Sequence, residues 1–355
     1  MRIPALVSAI RDEEAAGNPT FIEGAPGIGK SEVIAQMCRE DGFKMIDIRL
    51  ALLNPVDLRG IPVVRGERVV WVPPVFLVNE PKVRFFLDEI NAAPTAVQAD
   101  AYQFVLDRRI GEWKMHPEAR IIAAGNRMQD KAVVFEMPSA LRNRFAIFGL
   151  EPNFDDFKEW GLNNGIHASI LSFHQYFNRS NQTQLNNPYG LLFYFDPKEH
   201  SRGNFPTPRQ WEKVSHLLKV NPKRQYDIEV LRGHLGELAA VEFASFCKVY
   251  KHLPNIDGII SGKVKPRPPQ SPDAKIAFCG ALTGALIQTD KSKRVRATAN
   301  VAAYCVERFN NDAEFAVFTL KDYCRTQAFK DIFRDAISTK EWQLFTKEFG
   351  ELLGA

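Results

Sequence analysis

Eight consecutive residues, Gly24-Ala25-Pro26-Gly27-Ile28-Gly29-Lys30-Ser31, constrain this chain more than any other stretch. They spell G-x-x-x-x-G-K-S, and each fixed position has its own mechanical reason. Gly24, Gly27 and Gly29 let the backbone curl until several N–H groups converge on one anion. Lys30 adds a mobile cation for terminal phosphates, and Ser31 adds a hydroxyl that can meet Mg²⁺. The flanks agree with this reading. Pro19 to Glu23 reads as a short buried strand, and Ser31 to Cys38 as a helix whose N-terminus faces the anion. A chance glycine turn before Lys-Ser would need neither flank.

Short apolar strands alternate with helical patterns up to about residue 150, which implies a parallel α/β sheet. The strands fall at Phe21 to Glu23, Met45 to Arg49, Val83 to Asp88, Arg120 to Ala124 and Phe145 to Leu150. From Glu151 onward strand signals stop and helical periodicity takes over, as in Glu237 to Tyr250. Pro266, Pro268, Pro269 and Pro272 interrupt regular structure near residue 263. The expected organisation is an α/β nucleotide-binding core over 1–150, a helical lid over 151–262 and a helical extension over 263–355.

The chain's 355 residues are 45% hydrophobic and 25% charged, an ordinary globular mixture. A formal net charge of +4 does not suggest a concentrated basic face, so nucleic acid is not the expected partner. The basic run Lys291 to Arg296 reads first as a solvated helix start. Five cysteines without a C-x-x-C pair imply free thiols and a cytoplasmic setting. The seven histidines show no metal-ligand spacing. The N-terminal stretch reads as an amphipathic helix rather than a signal peptide, and no run approaches membrane-spanning length.

The remaining chemistry sits at strand ends. Val83 to Glu89 is an apolar strand closing on two acids. Asp88 is the candidate Mg²⁺ ligand, and Glu89 the base that orients and deprotonates an attacking water. The alternative is that the pair caps the helix expected near Pro94. The strand through Ala124 ends at Gly125-Asn126, where the amide can reach a γ-phosphate or the water, or can form an Asx-turn. Arg142 and Arg144 lie just before the last strand and could reach a neighbouring subunit's nucleotide. Thr207 and Pro208 open a helix as N-cap and first residue. That leaves Arg209 at a helix N-terminus, where the dipole does not favour a cation, so an external anion is expected there.

Taken in order, these elements resemble the AAA+ ATPases, and more narrowly the MoxR family. The residues that carry the likeness are Asn54 to Pro62, Leu87-Asp88-Glu89-Ile90-Asn91-Ala92-Ala93-Pro94, Ala124-Gly125-Asn126 and Asn143-Arg144-Phe145. The resemblance covers about the first 215 residues well and implies Gly24 to Ser31 as Walker A and Asp88 with Glu89 as Walker B. It further implies Asn126 as sensor 1, Arg144 as the arginine finger and Arg209 as sensor 2. Two departures stand out. Asn143 replaces the family's frequent Asp before the finger, which leaves Arg142 open as an alternative, and Ala92 replaces a frequent Arg. Two hairpins also fit the clade, one over Val63 to Val72 and one over Arg109 to His116. In relatives such inserts lie near a central pore, while Trp71 and Trp113 could simply pack on the domain.

The resemblance implies ATP and Mg²⁺ as ligands and a head-to-tail homo-oligomeric ring, expected as a hexamer. It also implies a partner with a von Willebrand factor A domain and the remodelling of a target protein complex. Two other classes compete: a nucleic-acid-stimulated motor or loader, and a non-catalytic nucleotide switch or scaffold. Intact Glu89 argues against the last.

Overall fold

A computed structural model describes residues 1–127, 135, 137–180, 187–195, 203–250, 252–309 and 312–353. The chain divides into two compact units, Met1–Pro152 and Asn153–Ala355.

The first unit opens with helix α1 (Ile3–Ala16), which ends on Gly17 in the left-handed region. Strand β1 (Thr20–Glu23), the phosphate loop and helix α2 (Lys30–Asp41) follow, then β2 (Lys44–Arg49) and the short helix α3 (Pro55–Arg59). Strands β3 (Ile61–Arg65) and β4 (Arg68–Val72) form an antiparallel ribbon. Next come β5 (Val83–Asp88), α4 (Thr95–Asp107), a second small ribbon of β6 (Arg109–Ile110) and β7 (Trp113–Lys114), and β8 (Arg120–Gly125). Helix α5 (Ser139–Arg142) leads into β9 (Ala146–Gly149).

Five strands make one parallel sheet in the order β2-β5-β8-β1-β9. Every expected strand is present with ends shifted by one residue at most, and both hairpins form. The central strands are near-continuous apolar runs because helices cover both faces of a parallel sheet. Phe85, Phe104, Val97, Leu87, Ile121 and Ala123 belong to one buried core. Trp113 packs on that core, its ring 5.9 Å from both Phe85 and Phe104, so for this residue the packing role holds. Trp71 lies on the exposed β3-β4 ribbon with the Arg59 guanidinium 6.0 Å from its ring.

Arg84 is an exception inside β5, being a charged residue 1% exposed. Glu14 of α1 accepts from its Nε at 2.8 Å and its Nη2 at 2.7 Å, and Asp41 of α2 accepts at 2.6 Å. The Phe43 ring lies 4.3 Å from the guanidinium. This buried network fastens α1 and α2 to the sheet behind the phosphate loop.

The regular elements of the second unit are all helices among its described residues: α6 (Phe154–Asn164), α7 (Ala168–Ser180), α8 (Pro208–Val220), α9 (Ile228–Tyr250), α10 (Ile256–Ile260) and α11 (Pro272–Gln288). It continues with α12 (Lys291–Arg308), α13 (Ala313–Cys324), α14 (Gln327–Lys330), α15 (Phe333–Ile337) and α16 (Lys340–Leu353). Helix α9 begins earlier than its sequence pattern suggests and breaks at Gly236, whose φ of 72° is left-handed. The proline-rich stretch is irregular up to Ser271, which caps α11 by accepting from the Ala274 N–H. Two apolar cores result, one mainly over α6 to α9 and one over α10 to α16. Phe243 and Phe246 of the expected stripe lie in the first core. Lys291 and Lys293 are exposed at the start of α12, in keeping with a solvated helix end.

All five cysteines are unpaired, as expected. Among the described residues no helix is long and apolar enough to cross a membrane.

Candidate active site

The parallel register decides which side chains meet. Glu23, the last residue of β1, lies beside Gly125 of β8 and Gly149 of β9. The phosphate loop therefore leaves the carboxyl edge of the sheet beside the end of β8, and a Gly24 N–H bond to the Gly125 carbonyl at 3.2 Å ties them together. Ligands of open α/β sheets bind at this edge. Within the loop, Gly27 (φ 75°) and Gly29 (φ 98°) take left-handed conformations that L side chains avoid. Helix α2 starts directly at Lys30.

Lys30 is 9% exposed. Its Nζ donates to the carbonyls of Gly24 at 2.7 Å and Ala25 at 3.1 Å, and to Asn126 Oδ1 at 2.9 Å. Ser31 Oγ donates to Asp88 Oδ2 at 3.4 Å. Four sequence-predicted residues from three separate strand ends thus converge. Glu89 follows at once, its N–H donating to Asp88 Oδ1 at 3.0 Å. Its φ of 56° is left-handed, a strained state for a non-glycine residue. That turn lets two adjacent acids serve one place although successive strand residues point to opposite faces. Neither acid caps α4, whose N-cap is Pro94.

The donor set suits Mg²⁺ and a nucleotide. A hydroxyl and a carboxylate stand together beside a glycine-rich loop and a buried ammonium. Mg²⁺ ordinarily takes only one or two protein ligands and completes its shell with phosphate and water. Correspondingly, among the described residues no cluster of three or more His, Cys, Asp or Glu could hold a metal by itself.

Two further residues belong here without having been assigned a role from sequence. Asn91, 6% exposed, clamps the backbone of Asn126. Its Nδ2 donates to the Asn126 carbonyl at 2.7 Å, and its Oδ1 accepts from the Asn126 N–H at 3.2 Å. The approach requires glycine at 125, where a Cβ would stand 2.3 Å from Asn91 Oδ1. A polar residue inside an otherwise buried run after the two acids was the available signal. Asp47 of β2 is the other. Burial pushes its carboxyl above the usual range and nearby Asp88 adds to this, while Arg49 opposes it from 3.7 Å.

Arg144 is not brought to this cluster. It precedes β9, whose Ala146 pairs with Thr20 at the opposite, amino edge of the sheet. Three strand steps separate Thr20 from Glu23, on the order of 10 Å, before the phosphate loop begins. Arg142 is likewise at that edge, at the end of α5. Arg209 belongs to the second unit, as the second residue of α8. The expected cap is present there, with Thr207 Oγ1 accepting from the Gln210 N–H at 3.2 Å.

Residues 19–145 match the family model described as AAA domain (dynein-related subfamily). This segment has the AAA+ P-loop fold. The match spans β1 to the start of β9 and so contains the whole cluster. Solved structures similar to this chain include the Holliday junction branch migration motor RuvB of Thermotoga maritima. It is 16% identical, with 70% of this chain and 74% of that one covered and a TM-score of 0.35. NtrX of Brucella abortus in complex with ADP is 13% identical, covering 99% of this chain and 68% of that one, with a TM-score of 0.35. At such values the likeness says nothing about activity. The fold assignment here rests on the chain's own loop, strands and register.

Proposed function

We propose that this chain hydrolyses ATP with Mg²⁺, in a head-to-tail ring of its own copies, and uses the turnover to remodel or activate a partner protein complex. The observation that carries the reading is the Lys30 Nζ contact to Asn126 Oδ1 at 2.9 Å, with Ser31 and Asp88 alongside. The proximity of Lys30, Asn126, Ser31 and Asp88 supports their joint use as phosphate cation, sensing amide and metal ligands.

Ala25, Gly27, Ile28 and Gly29 supply backbone N–H groups to the phosphates, while Gly24 and Pro26, which has no N–H, shape the loop. Lys30 exchanges its two carbonyl partners for phosphate oxygens. Ser31 and Asp88 would hold Mg²⁺, which when bound neutralises phosphate charge. Glu89 takes the proton of the attacking water, and Asn126 orients that water or the γ-phosphate. The amino-edge position of Arg144 supports a role in a second copy's site, since a heterologous contact joins one face of a copy to a different face of the next. A role for Arg209 as sensor 2 belongs to the proposal on the motif likeness alone. The MoxR type, the hexamer and a partner with a von Willebrand factor A domain belong to the same proposal, supported by the motif set alone.

Two substitutions test the site. Lys30→Ala should abolish tight nucleotide binding in a fluorescence titration, and wild-type affinity would remove the loop from the mechanism. Glu89→Gln should bind ATP normally and lose turnover by at least ~10²-fold, because the amide cannot accept the proton. Full turnover in that variant would move the base elsewhere.

A further inference from the structure

Helix α8 of the second unit packs with one face and leaves the other open. Trp211, Val214, Ser215 and Leu218 form the packed face and are buried. At 3.6 residues per turn, Lys213, His216 and Val220 point the opposite way, and Lys219 lies on the flank. All four are exposed, Val220 at 86%. Lys223 continues the exposed line just beyond the helix end. From Pro208 to Arg224 the chain sets Arg209, Lys213, Lys219, Lys223 and Arg224 against a single acid, Glu212.

These lysines are not neutralised within the chain. Among the described residues Lys213, Lys219 and Lys223 enter no ion pair. Other cations of the same unit do: Lys158, Lys265, Lys275, Arg224 and Arg232 all meet carboxylates. The unpaired lysines press instead on two histidines. Burial, and then Lys219, lowers His167 below its ordinary 6.5, and burial, then Lys213, does the same to His234 of α9. The helix dipole accounts for Lys219 in the last turn of α8, where free carbonyls attract a cation. It does not account for Lys213 in mid-helix, nor for an exposed valine set among the charges.

The chemistry of the face selects its occupant. Lysine meets a carboxylate as a single flexible charge, whereas planar recognition of phosphate is better served by the arginine fork. Val220 calls for an apolar contact, which a peptide side chain offers and a phosphodiester backbone does not. We propose that Lys213, Lys219, Lys223 and Val220 form a docking face for an acidic segment of a partner protein, with an apolar residue among its carboxylates. The face lies beyond Arg209 and asks nothing of it. The inference concerns the second unit alone and stands whether or not the chain hydrolyses ATP.

The test is fluorescence anisotropy with the full chain, without nucleotide, and a fluorescein-labelled peptide in which glutamates surround one leucine. Binding is expected, and it should weaken steeply as salt rises, because exposed charges are screened. Lys213→Glu/Lys219→Glu/Lys223→Glu should lower the affinity about tenfold or more, since three exposed ion pairs of ordinary strength together reach that. Val220→Ser should erase the preference for this peptide over its glycine counterpart and keep the salt dependence. Lys291→Glu/Lys293→Glu, on α12, should leave the affinity unchanged, which separates a local face from the general attraction of a basic protein. If the triple charge reversal lowers Tm, Lys213→Gln/Lys219→Gln/Lys223→Gln decides, with a smaller loss in the same direction.

No measurable binding by the wild-type chain would overturn the proposal, as would wild-type affinity in the triple variant or an equal loss in the α12 variant. A leucine preference that survives Val220→Ser would refute it as well. A single-stranded oligonucleotide of equal charge, binding more tightly than the peptide, would replace the acidic segment by nucleic acid as the occupant.

Discussion

Replacing Asn91 should disable hydrolysis while leaving ATP bound. Its side chain makes two hydrogen bonds to the Asn126 backbone, at 2.7 and 3.2 Å, and Asn126 in turn meets Lys30 at 2.9 Å. Asn91→Asp keeps the acceptor but turns the donor into an oxygen facing the Asn126 carbonyl. A buried group left without its partner costs about 1–3 kcal/mol. If that cost is relieved by Asn126 turning away, and half to all of it enters the barrier, turnover falls roughly 2- to 140-fold, at about 1.4 kcal/mol per decade. ATP affinity should change far less, because the loop glycines and Lys30 remain. The pH profile supplies the decisive measurement. Once protonated, the introduced carboxyl can again donate to the carbonyl, so the relative rate of this variant should recover as pH falls, whereas Asn91→Ala should show no such recovery. Wild-type turnover in both variants would refute the positioning role. So would a loss confined to Tm or to ATP affinity, with the rate at saturation unchanged.

Arg84→Met should strip Glu14, 7% exposed, of its buried partner. A loss of about 3–5 kcal/mol is expected, seen as a drop in Tm on the order of 10 °C, and Arg84→Met/Glu14→Gln should recover part of it. His174 is fully buried with both ring nitrogens unpaired, its ring 4.5 Å from Trp211, and burial pushes it from 6.5 down to about 3. Between those values the unfolded chain binds the extra proton, so stability should fall as pH falls, by up to about 1.4 kcal/mol per unit. Denaturant titrations of His174→Phe should show that slope removed, and an unchanged slope would place the acid sensitivity elsewhere.

The local features were open to reading because each is set by neighbours in the chain. A strand, a glycine loop and a helix in that order make a phosphate cradle whatever surrounds them, and apolar runs ending in Asp88-Glu89 or Gly125-Asn126 announce strand exits. The free thiols, both hairpins and the cap at Thr207 followed from the same short-range chemistry. Asn91 shows where this stops. Its spacing from the acids was visible, yet its bond to Asn126 spans 35 residues and exists because β5 and β8 are paired neighbours in the sheet. The charged interior at Arg84 was hidden for the same reason: in sequence it is one cation in an apolar strand, and only the arrival of α1 and α2 supplies its carboxylates.

The sequence by itself therefore determined which chemical groups the first unit carries and that a parallel sheet would present them at strand ends. The tertiary structure alone decided which ends coincide. Strand order and register bring Lys30, Ser31, Asp88 and Asn126 to the carboxyl edge and send Arg142 and Arg144 to the amino edge. No spacing along the chain encodes that division, because side-chain proximity across a sheet depends on hydrogen-bonded register between segments far apart in sequence, as Thr20 and Ala146 are.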